Sequence, residues 1–545
     1  MLLKNSKYSI AILLLLFIIS TCLFLSGCSK DKNNETNSSE GEETLVVTMP
    51  KTSEPDTGFD PIYGWACGEH VSDPLIQSTL IKADANMTIT PDLATSYKIS
   101  DDAKLITFYL RDGVLFSNGE KLSAYDVAYT INAAAANEAN PADFSSIEVA
   151  EAIGDLACNV KLKKADNTVI YLLANVGIVP EKTYNSASYG SNPIGSGKYK
   201  LEGWDKGKSA TFVANENYYG DEASIKRFQV LFLDDDASFA YAKSQSVDVA
   251  YIPAKYSNQE IENFKKLSVE TVDSRGISLP TKSKSEAKQF CAGKKEYENY
   301  DLGNDVTCDF AVRYAINLAL DKEQLIKNTL YGEAKSAYSV CDGLPWASES
   351  MKIECDVDEA KKVLDDAGWI QNDKDSDRSK NDVLCEFDLY YPMSDTDRQA
   401  LAYAFCDQMK KIGIKVNVIG KSWDEIYAHQ YSDAVLWGWG SNSPAELVSI
   451  IKSDGVCNFS LSSNANSDEL IGKALSCSNL EESFTFLDEA QEMNCPQNSS
   501  SWIWLANVNH VYFVKNNLDV GEQNKHPHGH GWSLVNNIDK WSWSN

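Results

Sequence analysis

Lys104-Leu105-Ile106-Thr107-Phe108-Tyr109-Leu110-Arg111 runs directly into Asp112-Gly113, then Val114-Leu115-Phe116, then Ser117-Asn118-Gly119-Glu120. The first run carries aromatic and branched side chains and reads as a strand. Asp-Gly is a turn dipeptide, because its glycine accepts a backbone that other residues resist. Ser-Asn-Gly-Glu marks a second turn. Ser123-Ala124-Tyr125-Asp126 then opens a helix. Ser123 stands at its N-cap, and Asp126, three residues on, completes a capping-box-like pair. Ala133–Ala136 carries this helix toward Pro141.

The same alternation extends in both directions. Upstream, Thr44-Leu45-Val46-Val47-Thr48 is a β-branched run and reads as the first buried strand. Downstream, Phe310–Leu320 sets Val312, Ile316, Ala319 and Leu320 on one helical face. Asp321 caps a second helix, with Gln324 at the capping-box position. Asp358–Ala367 ends at Gly368, a glycine suited to closing a helix. Arg398–Ile412 ends at Gly413, and Ile414–Ile419 follows as a buried strand. Helices alternating with short apolar strands predict an α/β or mixed architecture.

The N-terminus predicts where the chain goes. Lys4 and Lys7 precede the apolar run Ser9–Phe24, and Leu25-Ser26-Gly27-Cys28 closes it. That is the layout of a secretory signal. A membrane-spanning anchor is the competing reading, since a span needs roughly 20 apolar residues. The cysteine decides for the signal: Leu-Ser-Gly-Cys resembles the bacterial lipobox, which implies diacylation of Cys28 and cleavage before it. Ser29–Glu43 is polar and acidic, and cannot bury enough apolar surface to order itself. It reads as a flexible tether. A single acyl chain binds a membrane weakly, so anchoring depends on two.

The chain has 545 residues, 43% of them hydrophobic, and a formal net charge of -28. A chain of this length divides into more than one core. The acidic balance argues against a nucleic-acid partner, which requires basic patches. No second long apolar run follows residue 28, so the body is expected to be soluble. Of thirteen cysteines, Cys22 and Cys28 belong to the signal and anchor. The eleven others are an odd number, so one stays unpaired unless it bonds another chain. No Cys-x-x-Cys occurs. The plainest reading makes many of them small buried hydrophobes.

Three groups of motifs bring a family into view. Leu93-Ala94-Thr95-Ser96-Tyr97, Ser100-Asp101-Asp102, Phe108–Glu120 and Ala124-Tyr125-Asp126-Val127 form the first. Asn192-Pro193-Ile194-Gly195-Ser196-Gly197-Lys198-Tyr199 and Asn215-Glu216-Asn217-Tyr218-Tyr219-Gly220 form the second. Val312-Arg313-Tyr314-Ala315-Ile316-Asn317, Asp321-Lys322, Leu330-Tyr331-Gly332 and Ala367-Gly368-Trp369 form the third. In this order the chain resembles the family 5 solute-binding proteins of bacterial ABC importers, the peptide/nickel group, over roughly residues 44–515.

The resemblance implies an α/β, two-lobed, periplasmic-binding-protein-like clamp of class II, with an extra subdomain in lobe one. The expected layout is a signal at 1–27 and a lipidated tether at 28–43. Lobe one follows at 44–275, with a subdomain near 66–190, then lobe two at 276–506 and a return to lobe one at 507–545. It implies no enzyme and no cofactor. Peptide or peptide-like cargo would be captured by lobe closure, with a nickel or metal chelate as the alternative cargo. It also implies membrane permease subunits as partners, a monomer, and a place on the outer face of the cytoplasmic membrane.

Several residues are candidates for contact. The resemblance places Phe59–Trp65 at the cleft, where Tyr63 and Trp65 stack on ligand or belong to the lobe core. Trp437-Gly438-Trp439-Gly440-Ser441-Asn442 follows the strand Ala434-Val435-Leu436. Trp437, Trp439, Ser441 and Asn442 are expected at the ligand, and Trp439 matches a pocket tryptophan of nickel-binding relatives. The glycines would let backbone approach ligand closely. Peptide-binding relatives often carry an Asp here that pairs with a ligand amine, and its absence puts that capture in doubt. His526, His528 and His530 could converge on a metal, although a solvated or structural turn is the plainer reading. His70 and His429 read as structural.

Other motifs lead nowhere. Asp373–Asp377 lacks the glycine and glutamate of an EF-hand loop, with Arg378 and Leu384 in their places. Gly195-Ser196-Gly197-Lys198 resembles the end of a P-loop, but Tyr199 stands where Ser or Thr should be. No Gly-x-Ser-x-Gly and no His-Glu-x-x-His occurs, which leaves a secreted lipid-anchored hydrolase as the rival from another class.

Overall fold

The computed structural model describes residues 44–65, 74–373, 376–528 and 531–544. Cys28, the signal, the tether, Cys67, His70 and His530 lie outside the described residues. Three sheets organise the rest.

The first sheet has seven strands, in the order Phe264–Val269, His510–Lys515, Val249–Ile252, Leu45–Pro50, Arg227–Leu233, Ser209–Ala214 and Tyr199–Asp205. Leu45–Pro50 runs parallel to both its neighbours, and the other pairs are antiparallel. Both faces are covered. Val47, Phe212, Phe228 and Trp532 fill one core, while Ala250, Phe513 and Phe239 fill the other. A central strand buried on two faces needs a near-continuous apolar run, which residues 45–49 supply with Thr48 as the one polar member, its hydroxyl bonded to Ser238.

The second sheet has six strands, in the order Ala334–Ser336, Trp502–Val508, Ser274–Ser278, Ala434–Trp439, Glu386–Pro392 and Lys415–Lys421. Ile277, Leu389, Leu436, Ile503 and Leu505 form one face, against Val312, Ile316, Leu401, Phe405 and Met409 of the helices Phe310–Ala319 and Thr396–Lys410. Each such burial contributes about 1.5–3 kcal/mol. The opposite face carries Val435, Trp437, Trp502 and Trp504.

The third sheet is the antiparallel set Ala94–Ile99, Leu105–Leu110, Ala157–Leu162, Ile147–Ala152. Ile106, Phe108 and Leu110 point inward under the helix Ala124–Ala135, whose Val127, Ile131 and Ala134 are buried. Asp126 accepts hydrogen bonds from the backbone N–H of Ser123 at 2.8 Å and from its hydroxyl at 3.0 Å.

The chain passes between the first and second sheets at Glu270–Asp273 and at Asn509. The two passages lie side by side. Val508 N–H donates to Asp273 O at 2.8 Å, and Thr271 Oγ1 donates to Val508 O at 2.7 Å. No disulfide joins any of the described cysteines. Burial pushes the Cys158 and Cys385 thiols up to about 12, as expected for buried apolar-like side chains. No helix of the described residues is long and apolar enough to cross a membrane.

Candidate functional site

Ala434–Trp439 ends beside the two passages, so the loop Gly440–Ser443 sits where the first and second sheets meet. Trp437 is 4% exposed. It stacks on Phe459 at 4.4 Å and its indole N–H donates to Ser278 Oγ at 2.9 Å. Trp437, expected at the ligand, is buried against these side chains. Trp439 is half-buried, with Trp437, Phe459 and Trp502 within 6.1–6.3 Å between ring centres. Its buried indole nitrogen has no partner. Trp65 takes the core alternative: it is 1% exposed and packs on Phe59 at 5.1 Å and Trp532 at 5.0 Å. Tyr63 is half-buried and packs beside Ile62 and Tyr189.

The glycines serve the chain itself. A Cβ on Gly440 would collide with the carbonyl oxygen of Val272, and one on Gly438 with Arg398 Nη2. These close approaches are made by the passage Glu270–Asp273 and by an arginine. Gly440 N–H and Ser441 N–H donate to the Glu446 carboxylate at 3.2 and 2.8 Å. Burial pushes Glu446 up to about 7 against these two bonds.

Around Gly438 lies a buried charged cluster. Asp273 accepts from Arg275 Nη1, and Arg275 Nη2 reaches its other oxygen at 3.2 Å. His528 Nδ1 contacts the same carboxylate, and His510 Nε2 lies 3.5 Å from it. Burial disfavours the Asp273 charge, but Arg275 and the histidines outweigh it and hold the carboxyl well below its ordinary range. Arg398 pairs with Asp395 at 2.8 Å. Burial and the nearby Arg275 bring Arg398 down to about 10.

The C-terminal segment straps this cluster. Val272 N–H donates to His526 O at 2.9 Å, His526 N–H to Glu270 O at 3.1 Å, and His528 N–H to Gly440 O at 2.6 Å. His526 and His528 turn to different partners. His526 Nδ1 faces His510 Nδ1 at 3.2 Å, whereas His528 faces Asp273. Burial, then His510, holds His526 well below its ordinary range, so it is neutral. Among the described residues no three His, Cys, Asp or Glu side chains are grouped to hold a metal. His429 pairs with Asp433 at 3.1 Å and stacks on Tyr390 at 4.3 Å.

Beside the strap opens a cavity of about 750 Å³, within the range of small-molecule sites. Gln77, Tyr171, Asn175, Tyr218, Asn442 and His526 are among its lining residues. Of the residues predicted from sequence, Asn442 and His526 line it. Lys198, at the end of the rejected P-loop-like turn, lines it too. Arg275, Arg398, Asp273 and Glu446 were not legible beforehand, because residues far apart in the chain build the cluster.

Comparison with known proteins agrees with this architecture. Residues 88–453 match the model of the bacterial extracellular solute-binding proteins, family 5 Middle. Protein XP55 of Streptomyces lividans is 29% identical over 79% of this chain and 78% of that protein. The oligopeptide-binding protein AppA of Bacillus subtilis is 25% identical over 87% and 89%. The crystal structure of NikZ from Campylobacter jejuni in complex with Ni(L-His) superposes with a TM-score of 0.72 at 26% identity, covering 92% of this chain and 99% of that one. AppA is named for binding oligopeptides and NikZ holds Ni(L-His), and the fold is a two-lobed periplasmic-binding-protein fold. The chain belongs to the bacterial extracellular solute-binding proteins of family 5.

Proposed function

We propose that this chain captures a peptide or peptide-like solute between its two lobes and delivers it to the permease of an ABC importer. Diacylated Cys28 holds it to the outer face of the cytoplasmic membrane, and it works as a monomer. Residues 44–275 and 507–545 make lobe one, with the subdomain near 66–190, and residues 276–506 make lobe two. The observation that carries the reading is the cavity of about 750 Å³, lined by Gln77, Lys198 and the C-terminal strap together with Asn442 of the second-sheet segment. A ligand touching both sides favours the closed arrangement by its differential affinity. Relatives that bind oligopeptide and nickel–histidine support both cargo classes. A chelate would be held through its organic part, since the described residues offer no grouped metal ligands.

The test is calorimetry on protein stripped of ligand by unfolding and refolding, with a mixed peptide pool and with nickel–histidine. Heat with either supports the reading. No heat and no thermal shift with both overturns it. Mass spectrometry and metal analysis of what co-purifies identify the cargo.

A further inference from the structure

Four lysines, Lys82, Lys198, Lys525 and Lys540, line the cavity, against one acidic side chain, Glu522. The chain as a whole holds 78 acidic and 50 basic residues, so this lining reverses the balance of the molecule. Two of the lysines are already compensated. Lys82 pairs with Asp92 at 2.9 Å and Lys198 with Asp539 at 2.6 Å. The other two are not. Lys525 Nζ donates to the neutral carbonyl of Gly343 at 2.7 Å. Lys540 forms no ion pair among the described residues. Among the described residues neither has an ion-pair partner, and Glu522 is the one acidic side chain in the lining to set against the two.

The lining also carries buried polar atoms without partners: Gln77 Oε1, Asn442 Oδ1 and His526 Nε2. The Gln77 amide is fixed, because its Nε2 donates to Phe59 O at 3.1 Å and to Tyr189 Oη at 3.2 Å. Its oxygen thus awaits a donor. Buried polar atoms are normally satisfied, and here a ligand bearing N–H or O–H groups would satisfy the two amide oxygens.

From this charge and donor pattern we infer that the solute is an anion with at least two carboxylates and with hydrogen-bond donors beside them. The inference rests on the importer reading above and narrows its cargo. Two sources share this chemistry: a peptide rich in Asp and Glu, and a metal held in a polycarboxylate chelate. The carboxylates meet Lys525 and Lys540, and the donors meet Gln77 and Asn442.

The test uses the stripped, full mature chain and four probes: an Asp/Glu-rich peptide pool, a Ser/Ala pool and a Lys-rich pool of equal length, and nickel–citrate. One of the anionic probes should bind at least about tenfold tighter than the neutral and basic pools, with an affinity that falls as salt rises. Tight binding of the acidic pool alone assigns a peptide, and of nickel–citrate alone a chelate. Lys525→Gln with Lys540→Gln should weaken the anionic probe by about tenfold or more and leave the melting temperature unchanged. Lys540→Gln alone, which removes no ion pair among the described residues, covers the case in which the double variant fails to fold. Neutral or basic pools binding as tightly as the anionic probes, or anionic affinity unchanged in Lys540→Gln, overturns the inference while the importer reading stands. Binding of no probe overturns the inference, and the importer reading falls with it only if nickel–histidine also gives no heat.

Discussion

A methyl group on Gly440 would strike the carbonyl oxygen of Val272, a backbone atom that cannot swing aside. Gly440→Ala should therefore destabilise the protein by about 1–3 kcal/mol, the usual range for overpacking, as read from denaturant melts. Gly472 is the contrast: it lies inside the helix Ala465–Leu475 and a Cβ there meets nothing within 4 Å. Gly472→Ala should stabilise by roughly 0.5–1 kcal/mol, since alanine loses less chain entropy in a helix. Equal effects of the two changes would contradict this account. Cys28→Ser should leave an uncleaved precursor without acyl label. A variant that matures and still takes up palmitate would remove Cys28 as the anchor. The glycines of Trp437-Gly438-Trp439-Gly440 were legible as sites of close approach. What approaches them was not, because Arg398 and Val272 come from distant segments and a local pattern carries no record of its tertiary neighbour.

The helix Pro444–Ile451 turns its first-turn Glu446 back onto the loop before it. A buried carboxyl raised to about 7 prefers its protonated form in the folded state. Its folded value lies above the unfolded one, so between these two values the folded protein binds more protons. This contribution to stability is full below the unfolded value, near 4.5, and is lost as pH rises toward and past about 7. Glu446→Gln should remove that dependence, shrinking the stability difference between pH 5 and pH 8 by roughly 1–3 kcal/mol. An unchanged pH profile of the melting temperature would contradict it. Elements were the most legible part of the chain. Phe310–Ala319, Lys322–Thr329, Val357–Asp366 and Thr396–Lys410 each begin at an aspartate cap, and Gly368 and Gly413 take positive φ just beyond the last two. One detail differs. The N–H of Asp321 is satisfied by Gln408 Oε1 at 2.7 Å and not by Gln324. A side chain from the helix Thr396–Lys410 replaces the local partner that the capping-box spacing predicts.

Contacts between the segments built on different sheets are what a change from closed to open must keep or break. The paired passages at Thr271–Asp273 and Val508 are short and mutually hydrogen-bonded, so they suit a hinge. A second seam lies elsewhere. Asn167, just after the third sheet and 4% exposed, donates its N–H to Leu475 O at 3.1 Å. Its Nδ2 donates to Ala474 O at 2.9 Å and Cys477 O at 3.0 Å. Those carbonyls end the helix Ala465–Leu475, which would otherwise leave them unsatisfied. Nearby, Tyr171 packs edge-on against Trp346 at 5.5 Å. No motif announced this seam, because one asparagine in a loop is unremarkable until the fold brings a helix end to it. If opening parts the segments, these bonds must go, and Asn167 holds the closed form by their net worth. Asn167→Ala deletes two of the bonds while leaving the backbone in place. At about 1–3 kcal/mol in total, that loss shifts the closed-to-open ratio roughly 5- to 150-fold toward open. Small-angle scattering of the ligand-free variant should then give a larger radius of gyration than the parent, with unchanged circular dichroism. Amides of residues 167–173 should exchange faster while those of the central strand Ser274–Ser278 do not. A variant whose radius and local exchange both match the parent would mean that the seam follows closure and does not hold it.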